Sequence, residues 1–254
     1  PKQALISAGW EDASHLTEDM KEQILAALPP HEREMRSKGI PTIGSGLVFP
    51  ILEESLACEP FTIPEHFARI AGLDFCYDHP TAVAWLAWDR DEDIVYVYDC
   101  YSMSKQIPSY HASHINEREG SHYIPIVWPH DGYQHDKGSG KTLAEQYREA
   151  RVNMMPFHFE NPPALGENKG GNSVEPGLME MLNRMETGRF KVFNTLYDWF
   201  QEFRMYHRKD GKLVKLKDDL MSATRYATMS LRHADTETSK WHAKGRLGPD
   251  ISIV

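Results

Sequence analysis

The chain has 254 residues, 41% hydrophobic and 11% aromatic, and its 28 Lys/Arg against 37 Asp/Glu give a formal charge of −9. Such a composition supports a buried core and excludes a disordered tail or a fibre, and no apolar run reaches the roughly 20 residues of a membrane span. An N-terminus without a basic-then-apolar segment predicts a soluble, unexported protein, while three cysteines (Cys58, Cys76, Cys100) without a CxxC pair predict a reducing compartment and no thiolate zinc site.

Residues 1–66 carry a net −6 and the remainder a net −3, so the first stretch differs in kind. Thr17 is placed to cap an amphipathic helix from Glu18 to Leu28, stopped by Pro29-Pro30. A second short charged helix is expected over His31–Ser37, followed by a Gly/Pro-rich connector from Gly39 in which any strand is short. From Arg69 the pattern becomes regular. Arg69–Phe75, Thr81–Trp88 and Ile94–Tyr101 read as strands, the last two joined by a charged turn into an antiparallel hairpin. A helix over Ile107–Glu119, a buried strand over Tyr123–Trp128 and a helix over Thr142–Arg151, opened by a capping box, come next. Val152–Pro156 is expected as a further short strand. After a polar loop come a helix (Val174–Glu186), a strand (Phe190–Phe193), an amphipathic helix (Thr195–Tyr206), a tight turn at Lys209-Asp-Gly-Lys212 and a helix (Asp219–His233). The order predicts an α/β fold with a mixed sheet, antiparallel strands first and parallel strands after, and helices on both faces.

Three acidic positions stand at the ends of apolar elements. Asp74 closes a strand, where an unpaired charge is expensive; Asp131 stands where a buried strand breaks into a loop; Asp218-Asp219 opens the last helix. Taken singly, Asp219 reads equally well as a helix-opening acid and Asp131-Gly132 as an ordinary turn. Asp74 has no such simple account. Taken together, the element order lets all three converge at one sheet edge, where mutual repulsion calls for divalent cations. Oxygen ligands suit Mg²⁺ or Mn²⁺, and a pair of such ions suits phosphodiester cleavage.

Gly72-Leu-Asp-Phe75, Asp78-His-Pro-Thr81, Trp128-Pro-His-Asp-Gly132 and Lys217-Asp-Asp-Leu-Met-Ser-Ala-Thr-Arg-Tyr226 together resemble the C-terminal nuclease domain of the large terminase subunit of tailed bacteriophages, over about residues 67–232. The resemblance implies an RNase H-like fold and a metal-dependent endonuclease that cuts concatemeric double-stranded phage DNA during packaging in the host cell cytoplasm. It implies Asp74, Asp131 and Asp219 as catalytic metal-binding acids, with Asp74 bridging the ions and Asp218 beside them; Asp219 is preferred as the third ligand, and Ser222 stands where related resolvases often carry an acid. Implied partners are the small terminase subunit, the portal and the procapsid, with no membrane. Residues 1–66 resemble the end of the packaging ATPase domain and its connector, 67–233 the nuclease, and 234–254 reads as a flexible tail. No ATPase activity is expected: Gly138-Ser-Gly-Lys-Thr142 lacks the first glycine of a phosphate-binding loop, His135 standing there.

An acidic nuclease must concentrate its positive charge. Arg204, Arg208, Lys209, Lys212, Lys215 and Lys217, against the single acid Asp210, predict a basic hairpin that binds DNA phosphates with little sequence preference. Lys191 and Arg225 could extend it. His79, His130 and His135 are candidates for orienting a water or a ligand, whereas the aromatic run Tyr197, Trp199, Phe200, Phe203 and Tyr206 reads as a core-facing helix. A junction resolvase or ribonuclease on the same fold, and a non-catalytic docking module of the packaging motor, are the competing functions.

Overall fold

The computed structural model describes residues 10, 16–27, 37, 46–118, 120, 123–135, 140–163 and 170–236. Residues 31–36 of the expected second helix, most of the glycine-rich connector, residues 138–139 of the phosphate-loop-like sequence and the tail beyond residue 236 lie outside that set. The described elements are, in chain order, α1 (Glu18–Ala27), α2 (Glu53–Leu56), β1 (Ala57–Cys58), β2 (Ala68–Asp74), β3 (Thr81–Asp89), β4 (Ile94–Met103), α3 (Pro108–Asn116), β5 (Ile126–Val127), α4 (Leu143–Glu149), α5 (Glu175–Glu186), β6 (Phe190–Phe193), α6 (Tyr197–Met205), β7 (Arg208–Lys209), β8 (Lys212–Leu213) and α7 (Asp219–Met229).

One six-stranded sheet runs β1-β6-β4-β3-β2-β5. β2, β3 and β4 are antiparallel neighbours, while β5 joins β2, and β6 joins β4 and β1, in parallel. The period-two side-chain alternation of β3 sorts the core into two layers. Ala82, Ala84 and Leu86 pack with Leu178 and Met181 of α5, Phe200 and Phe203 of α6, and Leu220 and Ala227 of α7. Val83 and Trp85 pack on the other side with Ala112 and Ile115 of α3 and Ala144 and Tyr147 of α4. Helices therefore cover both faces, as the sequence predicts.

Local chemistry explains several boundaries. Thr17 Oγ1 accepts the Met20 N–H at 3.3 Å at the start of α1. At α4, Thr142 and Glu145 make both halves of the capping box. α5 is followed by Gly188 at φ 74°, a backbone setting glycine adopts without strain. Asp210 and Gly211, both at positive φ (52° and 75°), form the two-residue turn between β7 and β8, as expected for an Asp-Gly hairpin.

Elsewhere the structure departs from expectation. Only Ile126–Val127 of the expected strand Tyr123–Trp128 pairs as a strand; the flanking Pro125 and Pro129 lack the N–H a longer ladder needs. Val152–Pro156 forms no strand and contributes a single bridge, Met154 to Ile126. The final helix stops at Met229, and Leu231–His233 is a separate 3-10 turn. Upstream of residue 67, β1 supplies an edge of the sheet, and Val48, Phe49 and Leu56 enter its core. Phe49 stacks on Phe203 and lies 5.9 Å from the Tyr206 ring centroid, while the Val48 N–H donates to the Tyr206 carbonyl at 3.0 Å. Cys58, Cys76 and Cys100 are free thiols.

Candidate active site

β2 and β5 lie side by side and parallel, so their C-terminal ends open at the same edge of the sheet. Asp74 is the last residue of β2, and Asp131 sits in the 3-10 turn His130–Tyr133 just beyond β5. That turn closes tightly over Trp128: a Cβ at Gly132 would lie 2.3 Å from the Trp128 ring and 2.9 Å from the Phe75 ring. Glycine is thus required beside Asp131 for space.

The third segment arrives through a close helix-to-strand approach. A Cβ on Gly72 would meet the Ala223 carbonyl oxygen of α7 at 1.9 Å, so only glycine lets α7 lie this near β2. Asp74 follows Gly72 by two residues and shares its side of the strand; Asp219 precedes Ala223 by one helical turn. This contact draws the two acids to one cavity. Its volume is about 400 Å³, and its walls include Asp74, Asp131, Asp218 and Asp219 together with His79, Lys215 and Lys217.

The electrostatics reflect that gathering. Burial, followed by repulsion from Asp219 and Asp218, pushes the Asp74 carboxyl up to about 7 against the opposing pull of Arg225. Asp219 is pushed up to about 6 by burial and by Asp218, with His79 opposing. Burial also raises Asp218, with Lys215 as the main opposing charge. Among the described residues no three Asp, Glu, His or Cys side chains are gathered closely enough to hold an ion as they stand. The donor set nonetheless fits a hard divalent cation: all four groups are carboxylates lining one cavity, and a cation would relieve the repulsion that adds to burial in lifting Asp74 and Asp219. Loading requires the carboxylates to draw together.

The expected basic set divides in two. Arg204 is ion-paired with Glu53, and Arg208 makes a bidentate pair with Glu175 at 2.8 and 2.6 Å. These two arginines were expected to face DNA; their guanidiniums are engaged by carboxylates distant in sequence. Lys191 donates to the Ser55 carbonyl at 2.7 Å. Lys209, Lys212, Lys215 and Lys217 are exposed, the first two on the β7–β8 hairpin and the last two on the cavity wall. Lys217 adopts φ 52° immediately before Asp218, so a tight left-handed turn leads into the acidic pair. Of the histidines, His79 lines the cavity. His130 packs edge-on against Tyr133 and His158, and the His135 ring is 3.0 Å from the Gly140 carbonyl.

Glu202 of α6 is a positioning residue that the sequence pattern hides inside an aromatic helix. Its carboxylate accepts the Leu220 and Met221 N–H groups at 2.8 and 3.3 Å, capping α7 directly behind Asp219. Burial pushes it up to about 8, against those two N–H bonds. Glu202→Gln retains an acceptor and is expected to melt within about 2 °C of the parent. Glu202→Ala orphans two helix donors and is expected to cost about 1–2 kcal/mol, or roughly 3–8 °C, in a thermal melt.

Residues 71–231 match the family described as the terminase RNaseH-like domain. The large terminase subunit of Salmonella phage P22 is 44% identical over 233 residues, 91% of this chain and 45% of that protein. That of Enterobacteria phage LP7 is 44% identical over 235 residues, 92% of this chain and 48% of its own length. The chain thus spans about half the length of the curated relatives it matches. Among solved structures, the P22 large terminase nuclease domain superimposes with a TM-score of 0.68 at 42% identity, covering 77% of this chain and 97% of that one. The large terminase nuclease of thermophilic phage G20c with bound magnesium gives 0.51 at 17% identity, covering 73% and 98%, a likeness of fold.

Proposed function

Because this chain belongs to the terminase RNaseH-like domain family, the nuclease part of the large terminase subunit, we propose that it is a divalent-metal-dependent endodeoxyribonuclease that cuts concatemeric double-stranded DNA during phage genome packaging. The observation that carries this reading is the single cavity that collects Asp74, Asp131, Asp218 and Asp219 from three separate segments. Asp74, Asp131 and Asp219 would hold the ions, with Asp218 beside them. Mg²⁺ or Mn²⁺ ions, a pair in this reading, would supply Lewis acidity toward the phosphate and lower the pKa of the attacking water. Magnesium is the ion bound in the G20c nuclease.

The chain's own residues divide the remaining work. Lys215 and Lys217 set positive charge at the rim of an otherwise acidic cavity, and Lys209 and Lys212 extend it along the hairpin. Together they hold the DNA backbone without reading bases. By the same reading the full-length protein works in the host cytoplasm with the small terminase subunit, portal and procapsid.

Two measurements test the proposal together. Mn²⁺ added at pH 8 is expected to raise the melting temperature by about 5–10 °C, the signature of an ion held by the folded state alone. The same ion should convert linear duplex DNA to fragments, with EDTA stopping the reaction and branched DNA and RNA–DNA hybrids cut more slowly. A melt insensitive to Mn²⁺, together with intact duplex, would leave a docking module as the better description.

A further inference from the structure

Two side chains on the cavity wall carry buried donors that nothing described so far satisfies. Tyr206 is 1% exposed and its Oη has no hydrogen-bond partner; Arg225 is 3% exposed and its Nε and Nη1 have none either. Both line the cavity that holds the four aspartates. Unmade bonds of this kind are costly, more so for a charged donor than for a neutral one, and a guanidinium cannot escape by losing its proton. Four carboxylates share the same cavity, yet neither nitrogen bonds any of them.

Arg225 is held in place by apolar and aromatic contacts. Its guanidinium lies 4.5 Å from the Tyr226 ring centroid and 5.6 Å from that of Phe159. Its stem lies against α5 at Gly177, where a Cβ would come within 2.5 Å of the Arg225 Cγ. Tyr206 is fixed by the Phe49 ring and by the backbone bond from Val48. The donors are therefore preorganised, the condition under which they are worth most when charge develops on a reacting group.

We propose that Arg225 and Tyr206 form an oxyanion-binding pair that holds non-bridging oxygens of the scissile phosphate. The proposal rests on the nuclease reading for the identity of its ligand. In hydrolysis a bond forms from the water oxygen to phosphorus, one P–O ester bond breaks, and the departing oxygen leaves with the electron pair and takes up a proton. Negative charge builds on the non-bridging oxygens meanwhile. A planar guanidinium matches two of them, and a phenol O–H adds a further donor.

The test uses the 254-residue chain with Tyr206→Phe, which removes one hydroxyl and keeps the ring, and Arg225→Lys, which keeps the charge and loses the fork. Cleavage of linear duplex with Mn²⁺ is expected to fall about 10-fold in kcat for Tyr206→Phe and about 100-fold for Arg225→Lys. Melting of Tyr206→Phe should stay within about 2 °C of the parent. Duplex affinity measured by fluorescence anisotropy with Ca²⁺ should weaken about 3- to 5-fold in both variants. Parent-like rates and affinities in both variants, while Asp74→Asn is inactive, would overturn the donor pair and leave the nuclease reading standing. A rate loss in Tyr206→Phe that only mirrors a large drop in melting temperature overturns it too. An inactive parent whose Ca²⁺-dependent affinity still falls in both variants supports the pair as a phosphate grip and refutes the nuclease reading instead.

Discussion

Asp74→Asn is expected to lower DNA cleavage by about 10³-fold or more and, without added ions, to make the protein melt higher than the parent. The two effects share one cause. Asp74 stands at the end of β2 among Asp131, Asp218 and Asp219, and burial with their repulsion pushes it up to about 7. An amide keeps the shape and abolishes the charge, so the ion-free fold loses its least favourable ionisation. A carboxyl raised from an ordinary value near 3.8 to about 7 favours the folded state below pH 4. That stability is lost as pH rises through about 7, and the loss amounts to at most about 4 kcal/mol above that pH. The ion-free parent should accordingly melt lower at pH 8 than at pH 5, and Asp74→Asn should flatten that slope. Mn²⁺ should stabilise the parent strongly at pH 8 and the variant little, because a metal ligand is gone. Undiminished cleavage by purified Asp74→Asn would remove this carboxylate from the chemistry, and an unchanged pH slope would remove it from the repulsive cluster.

The second large effect belongs to a residue without a side chain. Gly72→Ala places a methyl group 1.9 Å from the Ala223 carbonyl oxygen. Both partners there are backbone, within an interior strand and within a helix that packs on β2, β3, β4 and β5, so neither can rotate aside. The expected cost is about 3 kcal/mol, the upper range for overpacking, which lowers the melting temperature by roughly 6–12 °C. Whatever fraction folds should cleave poorly, since moving α7 away from β2 carries Asp218 and Asp219 away from Asp74. Parent-like melting and cleavage in this variant would show that the helix-to-strand approach does not set the cavity.

Much of this architecture is written in local patterns. The alternation of Val95, Tyr96, Val97 and Tyr98, the Asp210-Gly211 turn and the Thr142/Glu145 box each specify their element within a few residues, and each formed. The closeness of Asp74 and Asp131 follows from element order, because parallel neighbours bring strand ends to a common edge, whereas Asp218-Asp219 is brought there by the packing of α7 on β2. What stayed hidden depends on distance along the chain. Arg204 and Arg208 look like free charge in a basic stretch, but their partners Glu53 and Glu175 lie 151 and 33 residues away. Tyr206 reads as a core position at the end of an aromatic helix and Arg225 as a possible extension of the basic groove; both are buried, and their unsatisfied donors become visible only when the two segments are placed around the cavity. Glu202 is concealed for the same reason, since its partners are backbone groups of another helix. Gly72 enters the sequence reading only as part of a motif; that a helix crosses it shows only in the folded chain.

The short edge strand β1 and the Phe49 anchor have a practical corollary. Trimming the protein to residue 67, where regular periodicity begins, would uncover the β6 rim at Val192 and Phe193 and strip the ring that braces Tyr206. A self-sufficient fragment therefore has to retain Val48 and Phe49 along with β1, and one cut shorter would carry a sticky margin open to pairing with other chains.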